Sequence, residues 1–171
     1  MTSANEEFAG AKLALFLGQD LLVIQRDDKP DIPYPGHWDL PGGGREGGES
    51  PQVCALRETY EEVGLVLPPE LLNWTRVYRR PHGRVWFFAA HLPASAAGQI
   101  RFGNEGQGWA LMAPEAYCEH PLAVPHFAAR LRDYLTERRS LQGRKERSPA
   151  GMRGEGDGSQ EEKPVWGVSQ G

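Results

Sequence analysis

Three carboxylates dominate the chemistry available to this chain. Glu58, Glu61 and Glu62 stand at i, i+3 and i+4, so a helix through them stacks all three on one face. Carboxylates that close repel one another and hold protons unless a cation lies among them. All-oxygen ligation of this kind suits Mg²⁺ or Mn²⁺, which hold substrate phosphates through a few carboxylates and retained waters.

The elements that must position these groups are legible around them. Ser50 followed by Pro51 is a helix start, a hydroxyl cap and then a ring with φ pre-set for the first turn. Val53, Leu56, Tyr60 and Val63 recur at helical spacing roughly opposite the glutamates and are expected to form the buried stripe. Gly64 is placed to end the helix in the left-handed conformation. Upstream, Trp38-Asp39-Leu40 reads as a short strand, and Pro41 with Gly42-Gly43-Gly44 as a tight turn where backbone can approach a ligand closely.

The run from Gly43 to Leu65 resembles the Nudix box, G-x5-E-x7-R-E-U-x-E-E-x-G-U, with U a bulky apolar residue. Gly43, Glu49, Arg57, Glu58, Glu61, Glu62, Gly64 and Leu65 fall in register, and Thr59 is the one departure. The resemblance implies a hydrolase that cleaves a nucleoside diphosphate linked to another group with a divalent metal. It makes Glu58, Glu61 and Glu62 metal ligands, adds the Gly42 carbonyl, and pairs Arg57 with Glu49 to orient helix and loop. A metal-bound water attacks phosphorus, and Glu61, Glu62 or a loop carboxylate serves as general base. Glu105, in Phe102-Gly103-Asn104-Glu105-Gly106-Gln107-Gly108-Trp109, is the loop candidate for base and ligand, because that segment resembles a late glutamate loop of the family. A glutamate between glycines is equally often a simple turn residue.

The same glycines also spell Gly42-x-Gly44-x-x-Gly47, a dinucleotide fingerprint. That reading requires a parallel strand after the helix, and Leu67-Pro68-Pro69-Glu70-Leu71 would break one.

Along the chain, Ala11–Leu17 and Leu21–Gln25 form a hairpin through Gly18-Gln19-Asp20, and residues 26–37 are a proline-rich loop. Further strands are expected near Trp74–Tyr78, Arg84–His91 and Gln107–Met112, and a final amphipathic helix opens at Pro125 with Phe127, Leu131, Tyr134 and Leu135 on one stripe. Strands mixed with helices fit an α/β class, and the resemblance implies an α/β/α sandwich around a mixed sheet. Residues 1–139 are read as this domain and 140–171 as a low-complexity, disordered tail, glycine-rich and charged, in which Trp166 has no assigned partner.

A length of 171 residues gives one domain an adequate core. The net charge of −4 argues against a long nucleic-acid partner, and no apolar run is long enough to span a membrane. Cys54 and Cys118 are too few for a disulfide scaffold or zinc site. A cytoplasmic monomer or homodimer acting on a small phosphorylated nucleotide is the expectation.

For substrate binding, Arg26 and its fellow arginines Arg79, Arg80 and Arg84 could clamp phosphates, while Trp38 and Trp109 could stack on a base. Trp86 and Phe87 are assigned to core packing. The resemblance of the Glu105 segment to the family implies a (deoxy)nucleoside triphosphate pyrophosphohydrolase. Pro81, downstream of the box, resembles a proline associated with ADP-ribose hydrolases, which keeps ADP-ribose and dinucleotide polyphosphates as alternatives. A non-catalytic nucleotide-sensing module is the alternative of another class, although no box carboxylate is missing.

Overall fold

The computed structural model describes residues 7–147; the remainder of the expected tail, with Trp166, lies outside them. Strand β1 (Phe8–Leu17) is buried on both faces. Leu13, Leu15 and Leu17 point to one core, Ala14 and Phe16 to the other, which is why its sequence reads as an apolar run, interrupted at Lys12, rather than an alternation. It turns through Gly18-Gln19 into β2 (Asp20–Gln25), as the hairpin signal predicted, with Phe16 opposite Leu21 and Leu17 opposite Asp20.

Those two register pairs are the whole β1–β2 ladder, so the strands diverge beyond the hairpin end. β2 continues against β3 (Trp38–Asp39) and β7 (Gly108–Met112), both antiparallel. β1 instead takes β4 (Gly42–Gly44) antiparallel and β6 (Gly83–Leu92) parallel, and β6 pairs with β5 (Trp74–Arg80) in an antiparallel hairpin cornered at Pro81. The sheet is therefore mixed, with a split between β4 and β3 that becomes the site.

The run Gly42–Gly44, expected as a tight turn, is this short strand β4. Glycine is required here by the close approach of the chain's own β1 backbone and the Glu58 side chain, where the sequence reading expected the approach of a ligand. A Cβ on Gly42 (φ +132°) would lie 2.2 Å from the Ala11 carbonyl oxygen, and one on Gly43 would lie 2.7 Å from the Glu58 carboxyl carbon.

Helix α1 (Pro51–Val63) begins as its sequence specifies. Ser50 Oγ accepts the Val53 N–H at 3.2 Å, and Gly64 ends the helix at φ 71° with its N–H donated to the Tyr60 carbonyl. Its buried face differs from the expected stripe. Val53 and Tyr60 are 51% and 58% exposed, while Pro51, Cys54, Ala55, Thr59 and Val63 are buried. The helix lies against the side-chain-free ribbon of β4, where small residues pack and large ones would hold the elements apart; Cys54 Sγ reaches the Gly43 carbonyl at 3.6 Å. Thr59, the departure from the box, is fully buried and donates its hydroxyl to the Ala55 carbonyl at 2.7 Å. Thr59→Val is expected to leave Tm within a few degrees and activity intact, because that carbonyl keeps its helix bond; a thermal melt and a rate assay check this.

The opposite face is covered by α2 (Pro114–Glu119) and α3 (Pro125–Arg147), giving the α/β/α layering. Phe127, Leu131 and Tyr134 are buried in α3 as predicted. Helix α2 had no counterpart in the sequence reading. Helix α3 also continues past Ser140, so residues 140–147 are helical rather than the start of a tail, since Leu, Gln, Arg, Lys and Glu there propagate a helix already nucleated on the core. Among the described residues no helix is long and apolar enough to cross a membrane.

Candidate active site

Helix α1 presents its glutamates to three different environments. Glu62 turns inward, accepting the Gly42 N–H at 3.0 Å, and burial pushes its carboxyl up to about 8 against the opposing pull of Lys12. Glu58 is partly buried and accepts from Arg57 Nη1 at 3.0 Å. Glu61 lies at the rim, 54% exposed, and meets the same Nη1 at 3.2 Å.

Arg57 organises the loop. It grips Glu49 through Nε–Oε2 (3.0 Å) and Nη2–Oε1 (2.8 Å), and Nη2 also donates to the Gly44 carbonyl at 3.0 Å. The sequence-based pairing of Arg57 with Glu49 is thus present as a two-pronged ion pair that ties the end of β4 and the following loop to α1. The guanidinium holds Glu49 down to about 2. A carboxylate lowered from 4.5 to about 2 contributes stability above its unfolded value and loses it as pH falls toward 2. Acid titration followed by circular dichroism is expected to show Arg57→Met unfolding at higher pH than wild type and with a weaker dependence between those limits.

The opposite wall comes from the loop before β7. Gly103 N–H donates to the Glu62 carbonyl at 2.9 Å and Arg101 N–H to the Val63 carbonyl at 2.8 Å, hanging the loop from the end of α1. Gln107 fastens its far end to β2, through its N–H to the Gln25 carbonyl and its Nε2 to the Arg26 carbonyl, both at 2.8 Å. Glu105 is thereby held over a cleft of about 490 Å³ that Glu58, Glu62 and the Gly42–Gly44 ribbon also line. No ion pair or hydrogen bond engages the Glu105 carboxylate among the described residues.

Two residues that sequence reasoning passed over hold the floor. Lys12 Nζ donates to Asp39 Oδ1 (3.0 Å), the Leu40 carbonyl (3.1 Å) and the Gly42 carbonyl (3.0 Å). Asp39, 6% exposed, also accepts the Leu40 N–H at 2.6 Å on Oδ1 and Arg26 Nη1 at 2.9 Å on Oδ2. The available signal was a lone lysine inside an apolar strand, which must find partners or leave the core. Asp27 and Lys29, 3.8 Å apart as an ion pair, add one charge of each sign to the cleft lining.

Of the predicted substrate contacts, Arg26 lines this cleft. Trp38 is partly buried against the α3-side core, its backbone bonded to Leu122 and Val124, and Trp109 lies on β7, 37% exposed; neither lines the cleft. Phe87 is buried and Trp86 packs against Phe88 at 6.0 Å, in line with a core assignment. Glu61 also stays outside the cleft lining.

Among the described residues, no three histidine, cysteine or acidic side chains are gathered as a ready cage for a cation. The donor set nevertheless fits a hard divalent ion. Glu58, Glu62, Glu105 and the Gly42 carbonyl are oxygen donors around one cleft, and Glu62 is a partly buried carboxyl whose charged form is only partly compensated by Lys12 and the Gly42 N–H. Lys12 and Arg57 neutralise part of that charge.

The NUDIX domain family matches residues 9–135. The chain belongs to the Nudix family. An RNA pyrophosphohydrolase of Cereibacter sphaeroides is 36% identical over 89 residues, spanning 41% of this chain and 54% of the relative. The chain spans about half or less of the length of this and other curated relatives it matches. The fold is that of the MutT protein from Methanosarcina mazei (TM-score 0.61, 17% identity, covering 80% of this chain and 99% of that one). It is also that of an Ap4A hydrolase from C. elegans (TM-score 0.58, 23% identity, covering 78% and 97%). At such identities the likeness speaks for the fold alone.

Proposed function

We propose that this Nudix chain hydrolyses a phosphoric anhydride bond in a nucleoside diphosphate-linked substrate, with a (deoxy)nucleoside triphosphate, cut to monophosphate and pyrophosphate, as the leading candidate. The observation that carries this reading is the composition of the cleft. Acidic groups Glu58, Glu62 and Glu105 share one cavity with Arg26 and Lys29, so oxygens suited to a metal and cations suited to phosphates face the same space, while Lys12 is committed to the floor. The name of the pyrophosphohydrolase relative supports the same bond type.

Mg²⁺ or Mn²⁺ held by Glu58, Glu62 and the Gly42 carbonyl would neutralise the diphosphate and acidify a water. Glu61 joins that set only by exchanging its bond to Arg57. Arg26 and Lys29 attract the phosphates, and Arg57 holds helix and loop in register through Glu49. Glu105, whose carboxylate has no competing partner, takes the proton from the attacking water as general base.

Product analysis by HPLC tests this. Canonical and oxidised dNTPs, ADP-ribose and dinucleotide polyphosphates are incubated with the protein and Mg²⁺ or Mn²⁺. Release of a nucleoside monophosphate and pyrophosphate from a triphosphate is the expected result. Cleavage confined to ADP-ribose or a dinucleotide polyphosphate would move the substrate class, and nucleotide binding with no turnover of any substrate would overturn the reading in favour of a sensing module.

A further inference from the structure

On the other face of the glycine ribbon lies a second cavity, of about 220 Å³, which shares Lys12, Gly43 and Gly44 with the catalytic cleft. Its remaining polar lining is cationic or imidazole, namely Arg80, Arg130, His82 and His126, and no carboxylate lines it. Arg130 is the informative residue. It is 4% exposed, yet neither it nor Arg80 has a carboxylate within ion-pair distance among the described residues.

The nearby acids of α3 are committed elsewhere. Asp133 accepts the Tyr78 hydroxyl at 2.8 Å and lies 3.6 Å from Arg76, and Glu137 pairs with Arg76 at 2.9 Å. The Arg130 guanidinium has only ring faces, Tyr78 at 4.6 Å and Phe127 at 5.6 Å. A guanidinium cannot shed its charge as a buried lysine can, and cation–π contact offsets only part of its desolvation. Arg80 adds like-charge repulsion, which together with burial lowers the proton affinity of both Arg130 and His126. Among the described residues, the hollow is thus bordered by a concentration of positive charge with no carboxylate paired to Arg80 or Arg130.

We propose that this cavity binds a phosphate group through Arg130 and Arg80, as a subsite beside the catalytic cleft. Because Lys12, Gly43 and Gly44 border both cavities, a substrate whose diphosphate occupies the cleft reaches the subsite with a second, separate phosphate. That placement rests on the hydrolase reading; anion binding at Arg130 does not. The alternative source of the same chemistry is free inorganic phosphate.

The test is NMR of arginine Nε–Hε resonances in the intact protein without metal, titrated with inorganic phosphate, in wild type, Arg80→Gln and Arg130→Gln. Saturable shifts of the Arg130 and Arg80 resonances are expected, with Kd raised roughly tenfold in Arg80→Gln, the loss of about one charge-assisted bond. Arg80→Gln keeps the test valid where Arg130→Gln fails to fold. Resonances that stay fixed while Arg26 shifts would overturn the subsite and leave the hydrolase reading standing. Turnover of a nucleoside triphosphate with and without a 3′-phosphate then separates the sources. A KM roughly tenfold lower with the 3′-phosphate, lost in Arg80→Gln, assigns the subsite to the substrate. Equal KM values beside saturable phosphate binding assign it to free phosphate. Absence of any turnover bears on the hydrolase reading alone.

Discussion

Glu62→Gln is expected to lower kcat by roughly 10³-fold or more while the fold persists, because in the proposed mechanism a partly buried carboxylate that would hold the metal loses its charge. The same substitution carries a second signature of opposite sign. The Glu62 carboxyl is raised from 4.5 to about 8 in the folded protein, so folding favours its protonated form. Its contribution is therefore fully present below the unfolded value and is lost as pH rises through about 8. Glutamine has no charge to desolvate and still accepts the Gly42 N–H. Metal-free Glu62→Gln should consequently melt at a higher temperature than metal-free wild type above pH 8, with the difference fading toward acid. Added Mg²⁺ should raise the wild-type Tm at high pH and leave that of the variant nearly unchanged. A variant both inactive and less stable at every pH would mean that Glu62 serves packing rather than the site.

Asp39→Ala has the largest expected effect on stability. Removing this buried carboxylate leaves Lys12 and Arg26 facing each other without their shared partner and strips the Leu40 N–H of its acceptor. Breaking a buried pair by deleting one member costs about 3–5 kcal/mol, enough to consume a large part of the stability of an ordinary domain. Urea titration should show the loss as a lower midpoint with an unchanged slope. Asp39→Asn, which keeps one acceptor oxygen for Lys12 or the Leu40 N–H, should fall between the two. A loss under 1 kcal/mol in Asp39→Ala would show that the network is dispensable to the fold.

The box was legible because its constraints are local. Ser50, Pro51 and Gly64 encode the ends of α1 in their own conformational preferences, and the i, i+3, i+4 glutamates follow from helix geometry. The buried side of α1 was not legible, since Val53 and Tyr60 have the right spacing and hydrophobicity but the wrong neighbour. Only knowledge that a glycine strand lies beneath favours Cys54, Ala55 and Thr59. That strand was itself hidden, because three glycines carry no strand propensity and are held in β4 by pairing to β1. Lys12 and Asp39 are 27 residues apart, and their bond depends on the divergence of β1 from β2, which no local pattern specifies. Arg130 shows the same limit: its helical position is predictable, but its lack of an acidic partner among the described residues is a property of three-dimensional packing.

The measurement that bears most directly on the central claim is a Mn²⁺ titration by electron paramagnetic resonance. It compares wild type, Glu58→Gln/Glu62→Gln, and Glu70→Gln as an acidic change away from the cleft, each with a non-hydrolysable nucleoside triphosphate present. Saturable binding in wild type and Glu70→Gln, abolished in the double variant while its circular dichroism remains native, is the predicted result. Equal Mn²⁺ affinity in all three proteins would contradict the assignment of the cleft as the metal-dependent hydrolytic centre.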